Sequence, residues 1–452
     1  MPVTEKASYH WGTGHSRGLF APTIRYHEGT FYIICTNVSY GGNFIITAQN
    51  PAGPWSEPHY IEGADGIDPS LFFDEDGTCY YIGTHPNPAG CQYDGDWYIW
   101  IQELDIENMK LVGEVHNVWN GAMRNIIWPE GPHLYKIGEY YYIMHAEGGT
   151  GPDHAVTVCR SKNVYGPYEN NFCNPILTHR HLGRKYPICY VGHADLVKTI
   201  NDEWYMVMLA VRPLEGYTTM GRETFLARVE WENDWPVVNP GVGRLTDTVE
   251  INLPKWTAYT AESNEYVFST MGQLPPEFMV LRNADKSHYS LEKGKGLLML
   301  FDTHTLKEQA SPSYLALRQK HHHFMAKALL DVSNLSEDKR AGIAYVQNNL
   351  YNLRVEVNGK MAEVILCEKG TDRRVISMPL QGSNPLEVSL EVDGLSAAVI
   401  IEGQKSPEVD IRTLSTEAAG GFTGCTVGLY AVADTENTDC ACFKRFSYSE
   451  VL

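Results

Sequence analysis

The chain has 452 residues, which exceeds the usual size of a single domain and predicts two domains. Its 36 basic and 55 acidic residues give a net charge of -19, which argues against nucleic acid and anionic membrane surfaces as partners because both bind basic patches. No apolar run approaches the length of a membrane span, and the sequence therefore predicts no membrane partner.

Four related segments organise the first half of the chain. They read APTIRYHEGTFYII from Ala21, DPSLFFDEDGTCYYI from Asp68, EGPHLYKIGEYYYI from Glu130 and HADLVKTINDEWYMV from His193. Each has a leading residue, a short apolar strand, a polar turn and a second strand with a tyrosine 11 or 12 positions after the leading residue; these are Tyr32, Tyr80, Tyr141 and Tyr205. A hairpin that recurs at this spacing predicts the blades of a β-propeller.

The leading residues of three segments are titratable. Equivalent positions on the innermost strands of successive blades converge around one axis, and so Asp68, Glu130 and His193 are predicted to lie together. Convergence of titratable groups in a pocket is the requirement for acid–base chemistry. The alternative is that each residue only turns the chain into its strand. Three polar residues in one register disfavour that alternative, because side chains that point into a shared channel must be solvated or used.

The second half of the chain has a different pattern. Proline and glycine in the segment WPVVNPGVGRLTD mark a boundary near residue 245. Beyond it the strands alternate without the blade motif, as in LRVEVNG and LEVSLEVDG, which predicts a β-sandwich. The predicted fold class is therefore all-β, with a β-propeller of about four blades over residues 1–245 and a β-sandwich over residues 246–452.

The motifs FAPTIRYHEGTFYIICTN, GIDPSLFFDEDG, WPEGPHLYK, VGHADLV and GRETFLARVEW resemble glycoside hydrolase family 43. Members of this family are five-bladed propellers that act on β-xylosides and α-L-arabinofuranosides with inversion. The segment FMVLRNADKSHYSLEKGKGLLML resembles the concanavalin-like sandwich at the C-terminus of many family 43 xylosidases. The resemblance implies a glycosidase that removes xylose or arabinofuranose units from xylo- or arabinoxylo-oligosaccharides.

The resemblance also implies roles for the leading residues. Glu130 is implied as the general acid, and Asp68 as the residue that adjusts its pKa and orients it. This agrees with chemistry, because a second carboxylate close to an acid catalyst favours the protonated form. His193 is implied near the channel centre, where members often bind a structural calcium ion or a water cluster. No other cofactor is expected.

Five further residues are predicted to bind the substrate. By resemblance, Phe20 and Ala21 form a wall of the innermost sugar pocket, Arg222 contacts the sugar beside Asp68, and Phe422 closes the pocket. The alternatives are a salt bridge near the rim for Arg222 and a core position in the sandwich for Phe422. Trp128, two residues before Glu130, is predicted to stack on a sugar ring.

The sequence departs from the family at the general base. In the family this base is an aspartate at the lead position of the first blade, in a segment resembling NPDPS, and the chain contains no such segment. The first segment found, at Ala21, matches the second family blade. Three explanations compete: a fragment or mis-started frame, a blade supplied by another chain, and a natural four-blade variant that binds sugar without hydrolysing it. We favour the first, and expect hydrolysis by this polypeptide to be impaired.

Two rival functions stay open at this point. One is a non-catalytic carbohydrate-binding protein, which an absent base would favour. The other is a sugar-transferring enzyme with a covalent intermediate, which needs two carboxylates only about 5–5.5 Å apart. The sequence does not separate xylosidase from arabinofuranosidase, and it leaves a homo-oligomer open.

The predicted location is the cytoplasm. The first residues, MPVTEKASYHWGTG, contain no apolar signal segment, and none of the ten cysteines forms a CxxC pair, which favours reduced thiols. Secretion stays the alternative, because a fragment would have its natural N-terminus upstream.

Overall fold

A computed structural model describes residues 16–253, 265–282 and 286–451, which fall into two compact units. Among these residues, unit 1 comprises Arg17–Val211 and 223–253, and unit 2 comprises Ser16, Arg212–Arg222, 265–282 and 286–451. Strands dominate both units, which confirms the predicted all-β class.

Unit 1 consists of four antiparallel sheets of four strands each, in chain order. The first sheet contains β1 (Thr23–His27), β2 (Thr30–Asn37), β3 (Gly42–Ala48) and β4 (His59–Tyr60), and the second contains β5 (Ile67–Phe73), β6 (Cys79–Pro86), β7 (Trp97–Asp105) and β8 (Lys110–Trp119). The third contains β9 (Glu130–Ile137), β10 (Tyr140–Glu147), β11 (Ala155–Ser161) and β12 (Glu169–Asn170), and the fourth contains β13 (Cys189–Lys198), β14 (Trp204–Val211), β15 (Glu223–Glu232) and β16 (Trp235–Val238). The four predicted hairpins are the first two strands of these sheets, as expected for propeller blades.

Apolar layers hold successive sheets of unit 1 together. Ile34 of the first sheet and Trp100 of the second belong to one buried cluster, and Ile82 of the second and Leu134 of the third belong to another. A third cluster joins the third and fourth sheets through residues such as Met144, Val191 and Met206. Successive side chains of a strand point to opposite faces of the sheet. Because both faces are buried, successive residues are apolar, and the strands contain nearly continuous apolar runs.

Unit 2 contains two antiparallel sheets, of nine and six strands. The nine-stranded sheet contains β17 (Glu265–Val267), β18 (Tyr289–Glu292), β19 (Gly296–Leu300), β21 (His323–Asp331), β26 (Leu386–Asp393), β27 (Ser396–Ile401), β28 (Gln404–Lys405), β29 (Val409–Asp410) and β31 (Cys440–Glu450). The six-stranded sheet contains β20 (Tyr314–Arg318), β22 (Lys339–Asn348), β23 (Tyr351–Val357), β24 (Met361–Glu368), β25 (Thr371–Pro379) and β30 (Thr426–Ala433). Side chains of both sheets, Phe324, Phe443, Ile343 and Leu429 among them, share one core, and this confirms the predicted β-sandwich.

Helices are short throughout the described ranges. One α-helix, α1 (Thr416–Ala419), lies in unit 2, and single 3₁₀ turns lie at Arg180–Leu182, Phe268–Thr270, Lys286–His288 and Arg412–Leu414. In the described part of the chain, no helix has the length and apolar character that a membrane crossing requires.

The segment Arg212–Arg222 connects β14 to β15 but groups with unit 2. The Thr218 amide and hydroxyl donate to the carboxylate of Glu417, at 2.7 and 2.9 Å. The Arg318 guanidinium donates to the carbonyl oxygens of Met220 and Arg222, at 3.0 and 2.5 Å. These bonds fix the backbone of a segment that carries one of the predicted substrate-binding residues, Arg222.

We expect the sandwich core to dominate the stability of unit 2. Leu429→Ala deletes a fully buried side chain (0% exposed) and should lower the free energy of unfolding by about 2–5 kcal/mol, whereas Leu350→Ala removes a side chain that is 44% exposed and should cost less than about 1 kcal/mol. Differential scanning calorimetry of both variants measures this. Equal costs would contradict the assignment of Leu429 to the core.

Candidate active site

The first strands of the second, third and fourth sheets begin with the same irregularity. Each contains one more residue than its partner strand between two paired positions. In the second sheet the two flanking pairs are Ile67–Thr84 and Ser70–Ile82. In the third sheet they are Glu130–Ala146 and His133–Met144. In the fourth sheet they are Gly192–Leu209 and Asp195–Val207. Asp68, Gly131 and His193 lie at the extra position with φ of 53°, 56° and 53°. This is a β-bulge in the left-handed region, which re-aims the chain where an inner strand begins.

The strand pairing corrects the predicted register by one residue in the third sheet. The sequence placed Glu130 at the position of Asp68 and His193, but the position equivalent to both is Gly131. Glu130 is equivalent to Ile67 and Gly192, one residue earlier. The sequence could not distinguish the two registers because β10 begins with three consecutive tyrosines, Tyr140 to Tyr142, and any of them could have been aligned.

Asp68 is buried, with 7% of its surface exposed, and a chain of hydrogen bonds holds its backbone. Its amide donates to Thr36 Oγ1 at 3.2 Å, and that hydroxyl donates to Asn43 Oδ1 at 2.5 Å. The Asn43 amide group donates in turn to the Ala64 carbonyl oxygen at 2.7 Å and lies 3.0 Å from the Tyr81 hydroxyl. The side chains of Thr36 on β2 and Asn43 on β3, both in the first sheet, therefore fix the start of β5 in the second sheet.

Glu130 is partly buried, and hydrogen bonds from the second sheet hold both sides of it. Thr84 Oγ1 on β6 donates to the Pro129 carbonyl oxygen at 2.6 Å. Ser70 Oγ on β5 donates to the Pro132 carbonyl oxygen at 2.7 Å. Because Ser70 lies two residues after Asp68, these bonds bring the starts of β5 and β9 side by side.

His193 lies against the residue that follows Glu130. A Cβ atom built on Gly131 would lie 2.4 Å from His193 Nε2, and so only a glycine leaves room for the imidazole. The structure thus brings His193 and the Glu130 segment together, as the sequence predicted, and Gly131 is a residue that the sequence analysis missed.

The three predicted residues Phe20, Ala21 and Trp128 also lie in unit 1. The Phe20 amide donates to the Thr36 carbonyl oxygen at 2.9 Å, which places the Phe20 backbone against the residue whose hydroxyl holds Asp68. Ala21 follows it, two residues before β1. The Trp128 amide donates to the Gly95 carbonyl oxygen at 2.8 Å, and its ring packs on Gly149, where a Cβ would lie 2.5 Å from Trp128 Cε3. The Trp128 ring is therefore fixed by glycine contacts immediately before Glu130.

Arg222 and Phe422 lie in unit 2 and contact each other. The Arg222 guanidinium carbon lies 5.2 Å from the centroid of the Phe422 ring, a cation–π geometry, and Phe422 is 41% exposed. Gly221 and Thr423 form a β-bridge beside this pair. Phe422 is accordingly not a core residue of the sandwich, although the sequence left that alternative open. The contacts predicted for Arg222 and Phe422 with a sugar stay predictions.

The side chains around His193 provide no set of metal ligands. Within residues 16–253, 265–282 and 286–451, no group of three or more His, Cys, Asp or Glu side chains is arranged to hold a metal ion. Calcium prefers about six to eight oxygen ligands, and the carboxylate of Asp195, two residues from His193, is already bound by Arg25 and Tyr135. The described side chains near His193 therefore supply no set of calcium ligands, and the calcium ion or water cluster expected there stays a prediction.

A partly buried ionic network links three sheets of unit 1, and the sequence analysis missed it. Arg25 on β1 donates to Asp195 Oδ2 on β13 at 2.8 Å, and its second terminal nitrogen lies 2.9 Å from His133 Nδ1 on β9. The Tyr135 hydroxyl donates to Asp195 Oδ1 at 2.5 Å and accepts from the Leu196 amide at 2.9 Å. His133 and Asp195 follow Glu130 and His193 by three and two residues, and so the network anchors both strands just inside the bulges.

The charges in this network are well defined. Because a guanidinium can only donate, His133 accepts through Nδ1 and is neutral. Burial lowers the pKa of His133 to about 4, with Arg25 adding to the shift and Asp195 opposing it. Burial alone would raise the pKa of Asp195, but the Arg25 guanidinium beside it holds that pKa below its usual range. The network thus contains one ion pair, Arg25 with Asp195, and a neutral imidazole.

A propeller that brings a buried aspartate, a glutamate and a histidine to the starts of neighbouring inner strands, in a chain that also contains a β-sandwich, has the features of a glycoside hydrolase. A model of the family described as Glycosyl hydrolases family 43 matches residues 1–236, and a model described as Beta xylosidase C-terminal Concanavalin A-like domain matches residues 266–449. The chain belongs to glycoside hydrolase family 43, as its sequence motifs indicated.

Individual relatives agree with this assignment. A xylosidase/arabinosidase of Butyrivibrio fibrisolvens is 47% identical over 96% of the chain and 87% of its own length. A non-reducing end alpha-L-arabinofuranosidase of Bacteroides ovatus is 36% identical over 95% of the chain and 81% of its own length. The crystal structure of a xylan beta-1,4-xylosidase from Bacillus halodurans has a TM-score of 0.88 and 30% identity, and covers 99% of the chain and 91% of that structure.

The neutral His133 predicts a loss of stability in acid. In the unfolded chain a histidine binds a proton near pH 6.5, whereas folded His133 does so only near pH 4, and so stability falls as the pH decreases through that window. The variant His133→Gln should lose about 2 kcal/mol less than the wild type between pH 7 and pH 4.5. Thermal unfolding at a series of pH values measures this. The exposed His181 provides the control variant His181→Gln, and equal pH slopes for all three proteins would contradict a neutral His133.

Proposed function

We propose that this protein recognises the terminal xylose or arabinofuranose of xylan-derived oligosaccharides and belongs to the inverting glycosidases. The observation that carries the proposal is the junction of β5 and β9, where hydrogen bonds from Ser70 and Thr84 set the starts of both strands side by side. In this proposal Glu130 is the general acid that protonates the leaving oxygen, and Asp68 is the carboxylate that orients it and favours its protonated form.

The substrate class in this proposal is supported by the relatives. The names of two relatives include xylosidase or arabinosidase activity, and both sugars are pentoses with similar hydroxyl groups. Phe20 supports the proposal by its place next to Thr36, which lets it serve as a wall beside Asp68. Trp128 supports it as an aromatic surface fixed just before Glu130.

The general base is the catalytic group without a candidate in this proposal. Among the lead residues of the described sheets, Ala21 cannot activate water, and Asp68 and Glu130 already have other roles. An inverting glycosidase needs a carboxylate base about 6.5–9.5 Å from the acid. We therefore propose that the 452-residue polypeptide binds its sugar but hydrolyses it slowly. The second candidate function, a carbohydrate-binding protein without catalysis, rests on the same argument.

Hydrolysis by the 452-residue chain should be slow, and azide should partly restore turnover. General base catalysis raises the rate of such a reaction by about 10²- to 10⁴-fold. Azide needs no base, because the anion can attack the anomeric carbon directly while nitrophenolate leaves. We expect azide to raise the release of nitrophenolate from an aryl β-xyloside or α-L-arabinofuranoside by at least about tenfold. The product should be a glycosyl azide of inverted configuration, which proton NMR identifies.

Each other outcome has a distinct meaning. Fast hydrolysis of a xylo-oligosaccharide without azide would contradict the impaired base. A product of retained configuration would favour the covalent mechanism, and sugar binding without rescue would favour the binding protein. The variant Glu130→Gln should slow azide-supported turnover of an oligosaccharide, whose leaving group needs a proton, far more than that of a nitrophenyl glycoside. Glu139→Gln, at an exposed turn of the same sheet, is the matched control.

A further inference from the structure

The loop that leads into Glu130 is held by the end of the next strand of the same sheet. This loop, residues 120–129, joins β8 to β9 and carries Trp128 near its end. The next strand, β10, ends at Glu147, which two glycines follow. Residues 147–149 contact the loop at three points.

The first contact is a hydrogen bond to a buried carboxylate. Glu147 is 1% exposed, and both of its carboxylate oxygens accept from the Ala122 amide at 3.2 Å. A Cβ atom built on Gly121 would lie 3.1 Å from Glu147 Oε2, and so the loop backbone packs closely against the carboxylate. A shorter side chain at position 147 would lose the bond that holds this end of the loop.

The other two contacts lie at the end of the loop next to Glu130. The Gly148 amide donates to the Ile127 carbonyl oxygen at 2.9 Å. Gly149 lies under the Trp128 ring, because a Cβ atom there would lie 2.5 Å from Trp128 Cε3. Residues 147–149 therefore hold the loop at both ends.

The backbone of Trp128 depends on such support. Its φ is 47°, in the left-handed region that bulky residues rarely adopt. A residue in this conformation is strained, and it persists only where surrounding contacts determine the backbone. Because Trp128 lies two residues before Glu130, a change in this backbone moves the ring and the start of β9 together.

The Glu147 side chain is itself held from the neighbouring strand. The Thr157 hydroxyl on β11 hydrogen-bonds to Glu147 and lies 2.9 Å from Nε2 of His145, which is fully buried. Burial raises the pKa of Glu147, and the bonds from Thr157 and Ala122 oppose that rise. Since burial disfavours the charge, a neutral acceptor of the same length is compatible with this position.

We propose that Glu147 is a positioning residue of the glycosidase site, which holds residues 120–129 through the Ala122 amide and thereby fixes the Trp128 ring against the sugar. The inference rests on the proposed function, in which Trp128 is an aromatic surface of the site. Glu147 acts only through the loop in this role, and it neither contacts the sugar nor transfers a proton.

Two variants separate the length of the Glu147 side chain from its charge. Glu147→Asp retains a carboxylate but withdraws it by one methylene from the Ala122 amide, whereas Glu147→Gln retains the length and one acceptor oxygen. Glu147→Asp should speed hydrogen–deuterium exchange of residues 121–128 by about tenfold, and Glu147→Gln should leave it within about twofold of the wild type. The matched control is Glu103→Asp on β7, which shortens a glutamate that accepts from the Tyr165 hydroxyl at 3.0 Å and should leave exchange in the loop unchanged.

Calorimetric affinity for methyl β-D-xyloside or methyl α-L-arabinofuranoside is the second readout. Glu147→Asp should weaken binding about 3- to 10-fold, which is the contribution of an aromatic contact, and Glu147→Gln should weaken it less than about twofold. In a Trp128→Ala background, Glu147→Asp should weaken binding less than about twofold further, because the ring that Glu147 positions is absent.

A purely structural role for the buried charge predicts the opposite order of the two variants, and a greater loss in Glu147→Gln than in Glu147→Asp would overturn the inference. Unchanged loop exchange or affinity in Glu147→Asp, or an equal loss of affinity with and without the Trp128 ring, would overturn it and leave the proposed function intact. Failure of the unmodified chain to bind either glycoside would overturn the inference together with the proposed function.

Discussion

In β5, β9 and β13, one extra residue in the left-handed conformation interrupts the regular alternation of side chains where the strand begins. The geometry of the candidate site depends on this constraint. A left-handed aspartate or histidine costs free energy, and it persists only where surrounding contacts determine the backbone. Here those contacts are the Thr36 hydroxyl under the Asp68 amide and the close fit of His193 against Gly131.

The same constraint connects the site to the rest of unit 1. The bulges are followed by strands that pack in apolar layers, and the Arg25 network ties β1, β9 and β13 just beyond them. A partly buried arginine–aspartate pair contributes little net stability, but removal of one partner leaves an unpaired charge and is destabilising. The network therefore specifies one arrangement of the strands more than it stabilises the fold.

The sequence predicts the repeats well because a blade hairpin repeats a spacing and a strand–turn–strand pattern. It also predicts that the segments of Asp68, Glu130 and His193 lie together at the starts of inner strands. It does not predict the register of Glu130, because an extra residue in a bulge leaves no compositional mark, and three adjacent tyrosines allow two alignments. The partners of Arg25 were equally hidden, since 170 residues separate it from Asp195 and the spacing of residues within each repeat does not show which side chains pair between repeats. Gly131 was visible in the sequence, but only its contact with His193 shows why a side chain is excluded.

The central claim is that Asp68 and Glu130 form one sugar-binding site. A double-mutant cycle measures this directly, with calorimetric affinities of the wild type, Asp68→Asn, Glu130→Gln and the double variant. The ligand is methyl β-D-xyloside or methyl α-L-arabinofuranoside, whichever the wild type binds more tightly. Residues in one site should show a coupling free energy above about 0.5 kcal/mol. Effects that add within about 0.3 kcal/mol, or no effect of either substitution, would contradict the account.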